Sequence, residues 1–212
     1  SWTYCIIDNE RVKSLIQDIL PVKIYCESLK HSDLENYNKL QTSFSEILQT
    51  IDLDTIGKPD DWPENVAVSF RNKKPNKLFD GRGEIEYIIT QKCKDYLAYG
   101  YDIHAKIKLA DSWVNRFDKT QYQFTHNHLA NPDDASFVSG TYYYDSSGHD
   151  GNIIFANKVQ NGLTISGQAL QPKTGMLCMF PAWLDHCVEA NRTDKRRISF
   201  AFNFIKDDIY GY

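Results

Sequence analysis

The stretch RISFAFNF, from Arg197 to Phe204, alternates polar or small residues with large apolar ones without a break. Successive side chains of a β-strand point to opposite faces of the sheet, so this pattern predicts a strand with one polar face and one apolar face. The apolar face is typical of a core surface. The polar face, which carries Arg197, Ser199 and Asn203, would lie in solvent on an ordinary edge strand, or inside a barrel mouth if a second sheet faces it.

Seven further runs of β-forming residues precede this strand after Gly100, separated by turn residues at intervals of about ten residues. Eight short strands with such loops predict an antiparallel double-sheet jelly roll of the cupin kind. The predicted strands are Lys106–Asn115, Tyr122–His128, Phe137–Tyr144, Asn152–Phe155, Leu163–Gln168, Met176–Phe180, His186–Val188 and Arg197–Phe204.

The first hundred residues favour helices, because their apolar residues recur at the spacing of one helix face. We therefore expect one mainly β, α+β domain over residues 1–212, in which the helical region 1–100 packs on one sheet of a core at 101–212. The predicted elements are a strand at Trp2–Ile7, a helix from Asn9 to Leu20, a helix beginning at the capping box Ser32-Asp33-Leu34-Glu35, a strand at Val66–Phe70, and a helix from Glu84 to Tyr99 capped by Gly100.

The composition excludes several functional classes. The net charge is −4, which gives no reason to expect binding of a nucleic-acid polymer. No run of about 18 apolar residues and no signal-peptide pattern occurs, so we expect a cytoplasmic protein that does not enter a membrane. The five cysteines include no C-x-x-C pair, which favours reduced thiols. The β-rich edges make a homodimer plausible.

Three histidines are candidate metal ligands. His126 and His128 are two residues apart near the end of a predicted strand, so both imidazoles can point to the same face. His186 follows another predicted strand and could complete a site between two facing sheets. Taken alone, the His126-x-His128 pair is more typical of two exposed strand histidines, and His186 is equally compatible with a surface histidine beside a turn.

The Arg197-Ile198-Ser199 motif follows His186 by eleven residues. A guanidinium can bind a carboxylate through two parallel hydrogen bonds, and a neighbouring hydroxyl adds a donor to the same anion. An arginine and a serine at this distance from a candidate metal histidine therefore indicate a site for a metal together with a carboxylate ligand.

The order of these motifs resembles the Fe(II)/2-oxoglutarate oxygenase superfamily, and within it a group of small bacterial and phage proteins. The resemblance covers residues 111–204 and implies a double-stranded β-helix fold and an oxygenase that uses Fe(II), 2-oxoglutarate and O2. Hydroxylation is the commonest outcome in such enzymes. The matching motifs are Trp113-Val114-Asn115, His126-Asn127-His128, Ser139-Gly140-Thr141-Tyr142-Tyr143, Phe180-Pro181 with His186, and Arg197-Ile198-Ser199 with Asn203.

The resemblance implies that His126 and His186 bind iron. Its usual pattern is H-x-D, whereas position 128 here is histidine, so the third ligand would be a neutral imidazole in place of a carboxylate. A loop carboxylate could instead replace it, and the candidates are Asp133, Asp134 and Asp150.

The resemblance also implies the binding site of the cosubstrate. Arg197 would bind the distal carboxylate of 2-oxoglutarate, and Ser199 would complete the clamp. Tyr143 would reach the same carboxylate, and Asn115 would contact the cosubstrate from the first barrel strand.

Two other functions stay open at this point. The first is a cupin-like three-histidine metalloenzyme that does not use 2-oxoglutarate, and the second is a non-catalytic jelly-roll binding module. The substrate could be a small molecule or a peptidyl side chain. We expect the loops at 129–136, 145–151 and 156–162 to shape its pocket.

Overall fold

The computed structural model describes residues 22–58, 66–70, 76–129, 136–159 and 163–207. The strand predicted at Trp2–Ile7 and the helix predicted from Asn9 to Leu20 lie outside these ranges. Within them the chain forms three helices and ten strands. The helices are α1 (Leu29–Ser32), α2 (Leu34–Thr50) and α3 (Gly83–Tyr101), and the strands are β1 (Tyr25–Ser28), β2 (Ala67–Val68), β3 (Ile107–Phe117), β4 (Gln123–His126), β5 (Ser136–Asp145), β6 (Ile153–Val159), β7 (Leu163–Leu170), β8 (Met176–Pro181), β9 (His186–Val188) and β10 (Arg197–Lys206).

The strands form two antiparallel sheets. The larger sheet has the order β1-β8-β5-β10-β3-β2, and the smaller has the order β4-β9-β6-β7. Side chains from the two sheets meet between them, for example where the rings of Phe180 on β8 and His186 on β9 lie 4.7 Å apart. This arrangement confirms the predicted double-stranded β-helix.

The strand β10 lies inside the larger sheet, between β5 and β3. The three phenylalanines of its apolar face are fully buried, and the ring of Phe200 stacks on Phe44 of α2 at a centroid distance of 4.0 Å. Its polar face points toward the smaller sheet. The alternation of RISFAFNF therefore separates the hydrophobic core from the barrel interior, and the helices pack on one sheet as predicted.

Ionic contacts reinforce the attachment of the helices to the sheet. Lys92 of α3 pairs with Glu27 of β1 at 2.9 Å and with Asp33 at 3.1 Å. Because the Lys92 side chain is only 15% exposed, these contacts lie where water screens them weakly. The helical layer and the edge strand β1 are thereby joined.

Two predicted helix boundaries are wrong. Asp33, and not Ser32, is the N-cap of α2, and its carboxylate accepts a hydrogen bond from the Asn36 amide at 3.3 Å. Ser32 ends α1 and donates to Glu27 instead. The helix α3 passes through Gly100 and stops at Asp102, which adopts a left-handed conformation that aspartate tolerates better than most residues.

Two strands also differ from expectation. The strand predicted at Val66–Phe70 is reduced to Ala67–Val68, which pairs with β3. The strand β1 was not predicted, because its four residues show no clear alternation. It forms through pairing with β8, with Tyr25 opposite Met179. None of the helices in the described residues has the length and apolar character needed to cross a membrane.

Candidate active site

Three histidines converge between the two sheets. His126 on β4 and His186 on β9 are direct cross-strand partners, and their ring centroids lie 4.3 Å apart. His128 lies two residues beyond His126, where its backbone amide donates to the carbonyl of Ala182 at 2.9 Å. One ligand atom from each imidazole lies within 4.8 Å of those of the other two. Such a cluster can hold one metal ion.

Hydrogen bonds fix the tautomer of each ring. Nδ1 of His126 lies 2.8 Å from the carbonyl of Phe124, and Nδ1 of His186 lies 2.9 Å from the carbonyl of Leu184. A carbonyl oxygen only accepts, so each Nδ1 carries the proton and each Nε2 carries the lone pair. This is the arrangement in which an imidazole binds a metal through Nε2.

The third histidine is oriented by side chains of the larger sheet. Nδ1 of His128 lies 2.7 Å from Oδ1 of Asn203, which also accepts from the hydroxyl of Ser139 at 2.7 Å. By the same argument Nδ1 of His128 donates and its Nε2 carries the lone pair. Ser139 and Asn203 belong to the quoted motifs, but the sequence assigned them no role.

The electrostatics of the cluster favour metal binding. Burial lowers the pKa of His186 well below its usual range, and repulsion by His126 and His128 lowers it further. Burial also lowers the pKa of His126. Both imidazoles are therefore neutral at pH 7, which is the form that binds a metal.

The cluster in the described residues contains no carboxylate. Asp150 is fully buried, but its carboxylate accepts hydrogen bonds from the Ser146 hydroxyl at 2.8 Å and the Ser147 amide at 2.6 Å. It therefore stabilises a loop, and the suggestion that it binds the metal is wrong. Asp133 and Asp134 lie outside the described residues.

The four residues predicted to bind the cosubstrate lie together on the inner face of the larger sheet. Ser199 on β10 is the cross-strand partner of Asn115 on one side and of Tyr143 on the other. Arg197 lies two residues along β10, opposite Phe117. All four predicted residues are buried.

Arg197 is the most constrained of these residues. Only 1% of it is exposed, and its Nη1 donates to the backbone carbonyls of Asp150 at 2.7 Å and Gly151 at 2.9 Å. Its guanidinium carbon lies 4.6 Å from the centre of the Phe117 ring. In the part of the chain that the structure describes, Nη2 is buried without a hydrogen-bond partner.

The loop from Ser146 to Gly151 forms a clasp that fixes Arg197, a role that the sequence did not reveal. Gly151 has a φ of 95°, and a Cβ atom there would lie 2.5 Å from the carbonyl oxygen of Glu189. Only glycine suits this position. No local pattern could have found the contact, because it joins residues 46 positions apart.

The other buried polar atoms without a hydrogen-bond partner among the described residues include Nε1 of Trp113 and Oδ1 of Asn115. The centre of the Trp113 ring lies 5.7 Å from that of His128, so this indole lies beside the histidines. The oxygen and nitrogen of the Asn115 amide exchange places when the amide is rotated by half a turn, so this group can offer an acceptor or a donor.

The clasp and the histidines are separated by a short distance. Asn152 and Glu189 are joined by a backbone hydrogen bond of 2.9 Å, and Glu189 lies three residues after His186. At the rise of a β-strand this places the clasp roughly 10 Å along the chain from His186.

The comparisons with known proteins agree with this geometry. Residues 111–203 match a family model described as "Putative 2OG-Fe(II) oxygenase". This range contains the three histidines and all four residues of the predicted cosubstrate site. A comparison with curated protein sequences finds no match.

Solved structures share the fold at low sequence identity. A Pseudomonas putida prolyl-4-hydroxylase is 12% identical, with a TM-score of 0.56 over 87% of this chain and 93% of that one. HygX from Streptomyces hygroscopicus, solved with nickel and 2-oxoglutarate, is 12% identical, with a TM-score of 0.61 over 88% and 84%. The epimerase SnoN from nogalamycin biosynthesis is 12% identical, with a TM-score of 0.64 over 87% and 78%. Residues 111–203 are therefore similar to a family of 2OG-Fe(II) oxygenases, and the chain shares the fold of these solved structures.

Proposed function

We propose that the protein hydroxylates its substrate with Fe(II) held by His126, His128 and His186 and with 2-oxoglutarate held by Arg197. One observation carries this proposal, namely the buried guanidinium of Arg197 with an unpartnered Nη2 in the same interior as the histidines. The histidines would bind the metal. Arg197 would bind an anionic group of a second ligand.

A buried cation is costly unless an anion or several hydrogen bonds compensate it. Arg197 forms no ion pair with a carboxylate in the described residues, and its two hydrogen bonds use only Nη1. Burial lowers the pKa of Arg197, yet a guanidinium keeps its proton in proteins. A carboxylate at Nη2 would supply both the missing hydrogen bond and the missing charge.

The neighbouring side chains complete the anion site. The hydroxyls of Ser199 and Tyr143 lie on adjacent strands of the same face, and both can donate to the carboxylate that Arg197 binds. Burial raises the pKa of Tyr143, so its phenol stays protonated and remains a donor. Trp113 offers a further buried N–H closer to the histidines.

The three histidines suit a divalent metal, since each ring presents the Nε2 lone pair and is oriented by a second hydrogen bond. When bound, Fe(II) supplies the activation of O2 that couples decarboxylation of 2-oxoglutarate to oxidation of the substrate. An all-histidine site leaves the metal about one charge more positive than one with a carboxylate ligand. A dicarboxylate cosubstrate would offset part of that charge.

A three-histidine enzyme that does not use 2-oxoglutarate would need the same metal site but no buried arginine. Such an enzyme would give no role to Arg197, to the clasp that fixes it, or to the neighbouring hydroxyls of Ser199 and Tyr143. This difference favours the 2-oxoglutarate proposal.

Exposed apolar side chains lie close in sequence to each of the three histidines. Phe124 is 62% exposed and lies two residues before His126, while Trp183 is 53% exposed and lies three residues before His186. Leu129, next to His128, is also exposed. Exposed apolar groups near a metal site suit contact with a substrate, either a small molecule or a peptidyl side chain.

The direct test is a product assay. The purified chain is loaded anaerobically with Fe(II) and exposed to air with and without 2-oxoglutarate. We expect succinate only when Fe(II), 2-oxoglutarate and O2 are all present, and the exposed-histidine variant His104→Ala should behave as the parent. Absence of succinate from the loaded protein would refute the proposal.

A further inference from the structure

Two cysteines face each other across the outer edge of the larger sheet. Cys26 on β1 is the cross-strand partner of Cys178 on β8, and their sulfur atoms lie 3.4 Å apart. Cys26 is exposed, whereas Cys178 is fully buried. Both are free thiols. The pair thus combines a sulfur that solvent can reach with a partner already in contact.

The geometry is close to that of a disulfide. A disulfide bond is about 2.05 Å long, so the two sulfurs need to approach by only about 1.4 Å. In the described part of the chain β1 is an edge strand that pairs with β8 alone, so it can adjust without disturbing a second neighbour. The register already places the two side chains on the same face.

The environments of the two thiols differ in a way that suits stepwise oxidation. The sulfur contact with Cys178 lowers the pKa of Cys26. The same contact and burial raise the pKa of Cys178. The exposed thiol is therefore the one that ionises first, and the thiolate is the form that reacts with peroxides.

The pair lies beside the proposed cosubstrate site. Cys178 is the cross-strand partner of Thr141, two residues before Tyr143 on β5. Electrostatic interactions with Cys178, Arg197 and Cys26 act on the Tyr143 hydroxyl. A change of oxidation state would thus occur next to the residues proposed to bind 2-oxoglutarate.

We propose that Cys26 and Cys178 form an oxidisable dithiol that closes to a disulfide on reaction with a peroxide. The Cys26 thiolate attacks one peroxide oxygen, the O–O bond breaks, and Cys26 becomes a sulfenic acid. The Cys178 sulfur then attacks the Cys26 sulfur and expels the oxygen as water. In total two thiols and hydrogen peroxide give one disulfide and two waters, with the sulfurs oxidised and the peroxide reduced.

The test uses the full chain, freed of metal with a chelator and treated with hydrogen peroxide. Thiols are then blocked, and the intact mass is measured before and after dithiothreitol. We expect a loss of mass equal to two hydrogens, which dithiothreitol reverses, and a loss of two of the five titratable thiols. After digestion with trypsin, a disulfide should link the peptide that contains Cys26 to the peptide that contains Cys178. The linkage should raise the thermal midpoint by roughly 5 °C.

Matched variants make the result specific. Cys187→Ser removes a half-buried thiol outside the pair and should oxidise as the parent does. Cys26→Ser should show neither the linked peptides nor the rise in thermal midpoint. The proposal is overturned if the parent gives only oxygen adducts, or if Cys26→Ser still loses two hydrogens.

Discussion

Nη1 of Arg197 donates a hydrogen bond of 2.7 Å to the backbone carbonyl of Asp150, and this contact sets the direction of the guanidinium. Asp150 is in turn held by Ser146 and Ser147, so the loop is rigid where it meets the arginine. The second amino group, Nη2, has no hydrogen-bond partner among the described residues. Orientation of one charged group by fixed backbone acceptors reduces the entropy lost when the anion binds.

Replacement of Arg197 by methionine should strongly weaken the binding of 2-oxoglutarate and leave metal content unchanged. Loss of one partner of a buried charge pair costs about 3 kcal/mol, or ~100-fold in affinity. Calorimetric titration of the metal-loaded variant measures the affinity. The adjacent Arg196, which is 58% exposed, provides the control variant Arg196→Met, which should bind normally. Loss of metal in Arg197→Met would show that the assignment of this strand is wrong.

Replacement of Gly151 by alanine should weaken the binding of 2-oxoglutarate, although residue 151 is not proposed to contact the cosubstrate. The new Cβ would lie 2.5 Å from the Glu189 carbonyl in a backbone conformation that L-residues rarely adopt, so the clasp must shift. We expect a loss of about 2 kcal/mol in stability and a raised dissociation constant. In Gly83→Ala the added Cβ meets nothing within 4 Å, so both quantities should stay near those of the parent. Unchanged cosubstrate affinity in Gly151→Ala would contradict the role of the clasp.

Replacement of Asn203 by leucine should weaken metal binding although Asn203 is not proposed as a ligand. The change removes the acceptor at 2.7 Å that orients His128, and losses of this kind lower metal affinity by about 10–100-fold. Competition with a chromophoric chelator measures the effect. Asn203→Asp keeps an acceptor in place and should retain most of the affinity. Equal affinities for the leucine variant and the parent would exclude this role.

Replacement of Gly140 by alanine should destabilise the fold. A Cβ atom there would lie 2.5 Å from the ring of Phe202 and 2.9 Å from the carbonyl of Cys178, so the sheet and the core must both move. We expect a cost of about 2 kcal/mol in the free energy of unfolding by urea. Gly100→Ala, within α3, meets side-chain atoms only at 3.5 Å and should not destabilise. A stability of Gly140→Ala equal to that of the parent would contradict the packing described.

The two faces of β10 could be predicted from the sequence, because polar and apolar residues alternate along the strand and each type occupies one face. The convergence of His126 and His128 could also be predicted, because residues two positions apart on a strand share a face. His186 was predicted to join them because it lies beside another strand, and it is the cross-strand partner of His126. These are consequences of strand periodicity and of strand pairing.

Other features of the fold and the site could not be predicted from the local sequence, because contacts with distant residues determine them. The strand β1 exists through its pairing with β8, whose residues lie 148 or more positions later in the sequence. The clasp of Arg197 depends on the turn geometry at Gly151, and the end of α3 depends on the left-handed conformation of Asp102. Tertiary contact overrides local pattern at each of these positions.

The most direct measurement is an anaerobic titration of the Fe(II)-loaded protein with 2-oxoglutarate, followed by visible absorption. We predict a saturable charge-transfer band of the cosubstrate complex in the parent and in His104→Ala, and no band in His186→Ala, from which the metal is lost. If the parent retains Fe(II) but develops no band at saturating 2-oxoglutarate, the central claim that the metal and Arg197 share one cosubstrate is contradicted.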